Sequence, residues 1–400
     1  MHQRSIRQAR SGRSVCALRI CIAYDCLFPW TVGGAERWYR NLAERLAEDG
    51  HAVTYITRRQ WQADDPPRLP GVRVIAVSRA EPLYGPDGNR MIGEPLRFGR
   101  GTLGHLLRHG RDYDVVHMAS FPYFSVLAAA AARPLAGYRL VIDWHELWSA
   151  TYWNVYLGGL KGRVGHAIQR ACVRVPHRAF CFSRLHRDRL RAEGFRGEVT
   201  VLEGEYAGSL EPPEPNEARP LAVFAGRHIA EKRAAALVPA VMRARDSIPG
   251  LRGIVFGDGP KRADVLAAIV AHGAEGIVDA PGFVATAQVD AGLRDALCLV
   301  LPSSREGYGL VVVEASARGT PSVVVAGEDN AAVELVQEGR NGTVAASAAP
   351  EDLAAAIERV HRGGPAMRAA TCAWFAENAV RLSLEHSLQQ VLASYYRGRR

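Results

Sequence analysis

The chain has 400 residues, 48% of them hydrophobic and 23% charged, with a formal net charge of +9. These values give roughly two or three globular domains with ample cores and exclude a low-complexity or extended polypeptide. No apolar run approaches the roughly 20 residues of a spanning helix. Seven cysteines without a C-x-x-C pair point to buried thiols in a reducing cytoplasm, not to a disulfide framework or a zinc site. The basic excess permits nucleic acid, anionic lipid or phosphate-bearing substrates without choosing among them. It is almost all arginine, since Lys161, Lys232 and Lys261 are the only lysines.

Residues 1–16 read as a disordered basic extension. Leu18–Tyr24 reads as a short buried strand, followed by a Gly33-Gly34 turn and an amphipathic helix from about Ala35 to Asp49. Strand, glycine loop and helix together aim backbone N–H groups at a phosphate, although a lone Gly-Gly is a weak signal. There is no G-x-G-x-x-G dinucleotide fingerprint. Further strands are predicted at 51–57, 72–77, 114–118, 139–143 and 178–183, with an alanine-rich helix over 124–133. Residues 58–70 and 78–100, rich in Pro, Gly and Arg, read as irregular. Strands alternating with helices argue for a parallel, doubly wound sheet. Asp112-Tyr113-Asp114 has the D-x-D form of a metal site, but it stands at the start of a strand, where acids are common.

His145 follows the fifth strand directly, where ligands of open α/β sheets lie. Trp144, Trp148, Tyr152, Trp153 and Tyr156 surround it in sequence. Such density favours stacking on a sugar or an acyl chain over the plainer alternative, a hydrophobic plug at the domain edge. Arginine-rich helices over 161–196 form either a solvated face or a surface for anionic lipid. Residues 211–216 are the clearest linker. The pattern then restarts, with strands at 221–225, 252–256, 276–279, 296–301 and 321–326, and helices over 331–337, 350–361 and about 366–397.

The most informative stretch is Ser303–Ala315, in which Glu306 and Glu314 stand eight positions apart around Gly307-Tyr308-Gly309-Leu310. One continuous helix would set the two carboxylates about 12 Å apart along its axis and about 80° around it, a poor acid/base pair. A loop turning into a helix near Val311 lets them grip different ends of one elongated ligand. Two surface acids at an ordinary loop-to-helix junction are the plainer alternative. In the first case Glu306 accepts sugar hydroxyls, Glu314 the hydroxyls of a ribose, and Gly307 to Leu310 offer N–H donors to a leaving diphosphate. Arg227 and Lys232, five apart across a loop, suit a diphosphate clamp of guanidinium fork and mobile ammonium.

These residues resemble the GT-B-fold glycosyltransferases of the large retaining family 4. Ser303–Val323 fits that family's S-x-x-E-G-x-G-L-x-x-x-E-A-x-A-x-G-x-P-x-V pattern. Gly33-Gly34-Ala35-Glu36 matches its N-terminal glycine loop, and Gly226-Arg227 with Lys232 its diphosphate pair. Gly257-Asp258-Gly259-Pro260 and Pro281-Gly282-Phe283-Val284 match its nucleotide-side strand ends. The resemblance covers about residues 18–396. It implies two Rossmann-like doubly wound α/β domains facing each other across a cleft, an acceptor-side domain over 17–210 and a nucleotide-sugar domain over 220–375. A linker over 211–219 would join them, and a C-terminal helix over 376–400 would pack back on the first domain.

The implied reaction is retaining transfer from a UDP- or GDP-sugar to a glycan or lipid-linked acceptor, with no cofactor and no metal required. Its catalytic residues would be His145, Arg227, Lys232 and Glu306. Gly33, Gly34, Gly226, Phe283, Val284, Gly307, Tyr308, Gly309, Leu310 and Glu314 would bind substrate, with the base near Val284. An anionic membrane surface is a further candidate partner, which would put the protein in the cytoplasm or at the inner face of the membrane. Nucleic acid is not expected, because the charge is spread without a recognition motif. A catalytically silent nucleotide-sugar-binding protein of the same fold is the main alternative. One departure stands out: the family's Asn-Gly-Val-Asp-like turn is replaced by Glu203-Gly204-Glu205-Tyr206.

Overall fold

The computed structural model describes residues 17–62, 64–81 and 93–397, so the predicted extension over 1–16 lies outside the described residues. The chain forms two compact units, one holding Gly93–Val141 and the residues up to Glu81, the other Ile142 onward.

The first unit runs β1 (Arg19–Ala23), α1 (Gly34–Glu48), β2 (Ala52–Arg58), β3 (Val72–Ser78), α2 (Gly93–His109), β4 (Val115–Ala119), α3 (Tyr123–Ala136) and the first half of β5 (Arg139–Trp144). β1 pairs in parallel with β2 and β4, Ile20 lying opposite both Val53 and Val115. All five residues of β4 are buried, as expected of a strand covered on both faces. Asp114 of the D-x-D accepts the Arg19 N–H at 2.8 Å and pairs with its guanidinium at 3.2 Å, fastening the start of β4 to β1.

Helix α2 corrects the expectation of irregular chain through residue 100. Its four glycines hid it, and packing explains two of them. A Cβ on Gly99 would lie 2.7 Å from the Phe124 Cβ, and one on Gly101 would run into the Val77 carbonyl. These glycines are there to let a helix lie close on its neighbours, at about 1 kcal/mol each in intrinsic propensity.

The second unit continues with α4 (Ala150–Leu157), α5 (Gly159–Arg174), β6 (Arg178–Cys181), α6 (Arg184–Ala192) and β7 (Val199–Val201). It then begins again with β8 (Arg219–Ala225), α7 (Leu237–Ala244), β9 (Arg252–Phe256), α8 (Arg262–Ala271), β10 (Val278–Gly282), α9 (Thr286–Asp295) and β11 (Ala296–Leu301). The two-residue β12 (Arg305–Glu306), α10 (Leu310–Ser316), β13 (Ser322–Val325), β14 (Asp329–Asn330) and β15 (Gly342–Ala345) follow. Helices α11 (Pro350–Asn378) and α12 (Leu384–Tyr396) close the unit.

The first sheet has the order β3-β2-β1-β4-β5-β6-β7 and the second β10-β9-β8-β11-β13-β15. Both step outward from an inner strand, return and step out the other way, the doubly wound plan of a Rossmann-like sheet. In each, a topological switch point falls where the order reverses: between β1 and β4, and between β8 and β11. The fold is therefore α/β with two parallel Rossmann-like sheets, as expected.

The predicted C-terminal helix is interrupted. Residues 379–383 separate α11 from α12, whereas non-helical Gly364 (φ 48°) before Pro365 is a kink in α11 at the expected break between the helices over 350–361 and 366–397. Ser383 caps α12 and bridges to Tyr206, while the Gly204 N–H donates to Ser387 Oγ at 3.1 Å. The predicted linker ends in an anchored residue, because Asn216 Oδ1 accepts from buried Arg368 at 2.6 and 3.0 Å. Six cysteines lie among the described residues and all are buried. No helix among the described residues is long and apolar enough to cross a membrane.

Candidate active site

The site grows from the carboxyl ends of β8, β9 and β11. Beyond β8 the backbone zips onto the loop after β9: the His228 N–H donates to Asp258 O and the Lys261 N–H to His228 O, both at 2.8 Å. Such an approach needs glycine. Gly257 (φ 114°) has no room for a Cβ beside the Gly226 carbonyl, and one on Gly259 (φ 151°) would meet His228 O at 2.5 Å. Arg227 is exposed on this ledge, and a 3-10 turn over Ala230–Lys232 brings Lys232 back half-buried.

Beyond β11 the chain runs through Ser303 and Ser304 into β12. Buried Glu306 accepts from Lys232 Nζ at 2.5 Å and from Ser303 Oγ at 2.7 Å. β8 and β11 are neighbours at the switch point, so this lysine–glutamate contact stands where open α/β sheets hold ligands. Gly309, at φ 100°, turns the loop into α10, which begins at Leu310. The expected helix start near Val311 is thus found, with Glu314 half-buried on its second turn.

Gly307 passes so close to the loop after β5 that a Cβ would run into the His145 carbonyl. His145 is thereby brought beside the Glu306 loop, its imidazole stacked on Phe182 at 4.1 Å and 9°. Its Nδ1 lies 3.8 Å from Glu205 Oε1. Burial, reinforced by the charge of Asp143, raises the Glu205 pKa to about 8, so this carboxyl is largely protonated at neutral pH. Tyr308 is buried, and its hydroxyl donates to Glu203 O at 2.6 Å. The replaced turn at 203–206 is therefore part of the site's wall.

The aromatic loop packs differently from an open stacking platform. Trp148 and Tyr152 lie 4.6 and 4.5 Å from the Arg305 guanidinium carbon, and Trp153 is buried with its indole N–H on Gln169. Arg305 Nη1 is 2.9 Å from Glu146 and Nη2 is 2.5 Å from Glu231, whose carboxylate also accepts from Tyr152 at 3.2 Å. Burial opposes ionisation of Glu146, yet Arg305 and the Trp148 indole N–H hold its pKa below the usual carboxylate value. Two aromatic faces are thus taken up by an internal cation.

His145, Lys232, Glu306 and Gly307 are brought together by these contacts. Gly226 stands on the ledge beyond β8, its backbone N–H donating to Phe256 O at 3.2 Å. Phe283 is 74% exposed just past β10, beside half-buried Val284. Gly33 and Gly34 belong to the other unit, where extended Gly33 caps α1 and Gly34 opens it. Sequence reasoning missed Arg305, Glu231, Phe182 and the carboxyl of Glu205. Arg305 lay inside the motif and Glu205 inside the flagged departure, whereas nothing local marked Phe182.

The two Rossmann-like sheets are those of the GT-B glycosyltransferase fold. Residues 33–203 match the glycosyl transferase 4-like domain and residues 209–379 the glycosyl transferases group 1 family, and the chain belongs to that family. It is 28% identical to a D-inositol 3-phosphate glycosyltransferase of Nocardioides sp., with 92% of this chain and 86% of the relative covered. It is 27% identical to a glycogen synthase of Mycobacterium tuberculosis, with 83% of each covered. Among solved structures, sucrose-phosphate synthase from Thermosynechococcus elongatus superposes with a TM-score of 0.77 at 19% identity, over 94% of this chain and 98% of that one. Anabaena HepE in complex with UDP gives 0.68 at 17%, over 94% and 99%.

Proposed function

We propose that this chain moves a sugar from a UDP- or GDP-sugar to a hydroxyl acceptor with retention of anomeric configuration, in the synthesis of a cell-surface polysaccharide or glycolipid. The Lys232–Glu306 contact at the switch point carries the reading. An ammonium has three donors, so the one spent on Glu306 leaves two for diphosphate oxygens. Arg227 on the neighbouring ledge adds a fork, and the N–H groups of Gly307 to Leu310 add dipoles. Glu306 holds hydroxyls of the transferred sugar and Glu314 those of the ribose, with the base against Phe283 and Val284. His145 touches the sugar near the reacting carbon. The acceptor oxygen forms its bond to that carbon on the face from which the diphosphate departs with its electron pair, and the acceptor proton passes to the leaving phosphate oxygen. The cationic side chains meet the developing charge, so the reaction requires no metal or other cofactor. HepE, a neighbour in fold, is described with UDP and with UDP-glucose.

A lipid-linked acceptor at the cytoplasmic face of a membrane is favoured by one surface. From Ala150 to Arg174 there is no acidic residue, and Val155, Leu160 and Val164 are exposed beside Lys161, Arg163 and Arg174. Cosedimentation with anionic vesicles, lost in Leu160→Ser/Val164→Ser, supports that acceptor class; equal recovery without vesicles sinks it.

The test of the main reading is a thermal-shift screen of the purified chain against UDP-, GDP- and ADP-sugars, followed by proton NMR of the product. One donor should stand out, because a ligand at 100 times its Kd stabilises by about 2.7 kcal/mol. The transferred sugar should keep its anomeric coupling. Inversion would refute retention, and neither shift nor donor turnover with any sugar would refute the reading.

A further inference from the structure

Of the four residues given catalytic roles above, three, His145, Lys232 and Glu306, have chain neighbours that converge on a single guanidinium. Arg305 itself precedes Glu306, Glu146 follows His145 and lies 2.9 Å from Arg305 Nη1, and Glu231 precedes Lys232 and lies 2.5 Å from Arg305 Nη2. The dipeptides Glu231-Lys232 and Arg305-Glu306 therefore face each other with reciprocal charges, glutamate on arginine and lysine on glutamate. The Ser304 N–H adds a backbone bond to Glu231 O at 2.8 Å. The guanidinium is buried, with only 10% of the side chain accessible, and lies in the corner formed by the Trp148 and Tyr152 rings, which meet edge to face at 72°. A planar guanidinium can lie against both rings while its two Nη groups each meet a different carboxylate, a fixed geometry that a lysine ammonium does not impose.

We propose that Arg305 is a positioning residue: by tying Glu146 and Glu231 together against the Trp148–Tyr152 corner, it sets where the Lys232 ammonium and the Glu306 carboxylate stand beside the backbone of His145. This rests on the proposed transfer reaction for its kinetic consequence but not for its geometry. The three lysines make the geometry directly observable, because uniformly exposed Lys161 and Lys261 leave Lys232 as the one half-buried member of a three-signal lysine spectrum.

The experiment compares the full chain, carrying lysine labelled with carbon-13 at Cε, with its Arg305→Gln and Tyr152→Leu variants. In folded Arg305→Gln, the Lys232 resonance should move toward those of Lys161 and Lys261, and Tyr152→Leu, which keeps the charge but removes one ring and its hydroxyl bond to Glu231, should move it part of the way. With donor and acceptor supplied, kcat of Arg305→Gln should fall about 10- to 100-fold with donor KM changed less than about threefold. In a Lys232→Ala background, Arg305→Gln should cause no further loss, as expected of a residue that acts through Lys232. An unmoved Lys232 signal in both variants, or a full additional loss in the double variant, would overturn the proposal. If the wild-type chain transfers no sugar, the transfer reading fails while the lysine spectrum still decides this one. If Arg305→Gln does not fold, Tyr152→Leu decides it alone.

Discussion

Glu205 shows how one buried carboxyl can change the behaviour of a site. Its pKa is raised to about 8 by burial and by Asp143, against an ordinary value near 4.5. Between those pH values the unfolded chain releases a proton that the folded chain keeps, so stability is full below about pH 4.5 and is lost as pH rises toward about 8. Glu205→Gln should abolish that loss. The variant and wild type should melt alike near pH 4.5 and diverge by on the order of 1–3 kcal/mol in the variant's favour by pH 8. Parallel melting curves across that range would contradict the burial argument. Two further side chains divide the proposed chemistry. Lys232→Ala should lower kcat by about 10²-fold with little change in donor KM, because its charge meets the leaving group. Glu314→Ala should instead weaken donor affinity by about 10-fold, read by titration with the nucleotide sugar.

At the scale of elements, the loop-to-helix junction at Gly309 organises the site. It combines a left-handed conformation with a close neighbour, since a Cβ would lie 2.7 Å from the Ala332 Cβ. Gly339 has a similar φ of 74° but open space around it. Gly309→Ala should therefore cost about 2–4 kcal/mol in chemical denaturation and Gly339→Ala only about 1. Equal losses would mean that backbone strain alone matters at both positions. This junction was legible in the sequence, since two glycines between a buried strand and an apolar run admit few geometries. Helix α2 was not, because its glycines serve packing against Phe124 and Val77, neither of which local periodicity can reveal.

Across the whole molecule, Arg368 does what local elements cannot. From α11 it donates to Ala296 O at 2.8 Å, to Asn216 before β8 and to Thr320 before β13, so one buried guanidinium joins a helix, a connecting segment and two strand starts. Arg368→Met should lower the melting temperature by several degrees, corresponding to about 2–4 kcal/mol, because the stranded acceptors lose their donor. An unchanged melting curve would show that those acceptors find water instead. The surface tells a related story about charge. Arg170, Arg178, Arg184, Arg187 and Arg189 of the arginine-rich stretch all have carboxylate partners. These pairs leave the net charge of +9 unchanged, and Arg170 and Arg184 stay exposed while paired.

By itself the sequence determined the alternation of strands and helices, the glycine positions at strand ends and the Glu306–Glu314 motif, because each follows from local periodicity and backbone sterics. Only the tertiary structure decided which charge meets which. Lys232 reaches Glu306 across 74 residues, Arg305 gathers Glu146 and Glu231 against two rings, and the Glu205 side chain is buried beside His145. Those pairings depend on strand order at the β8–β11 switch point and on desolvation, neither of which a local stretch of chain contains.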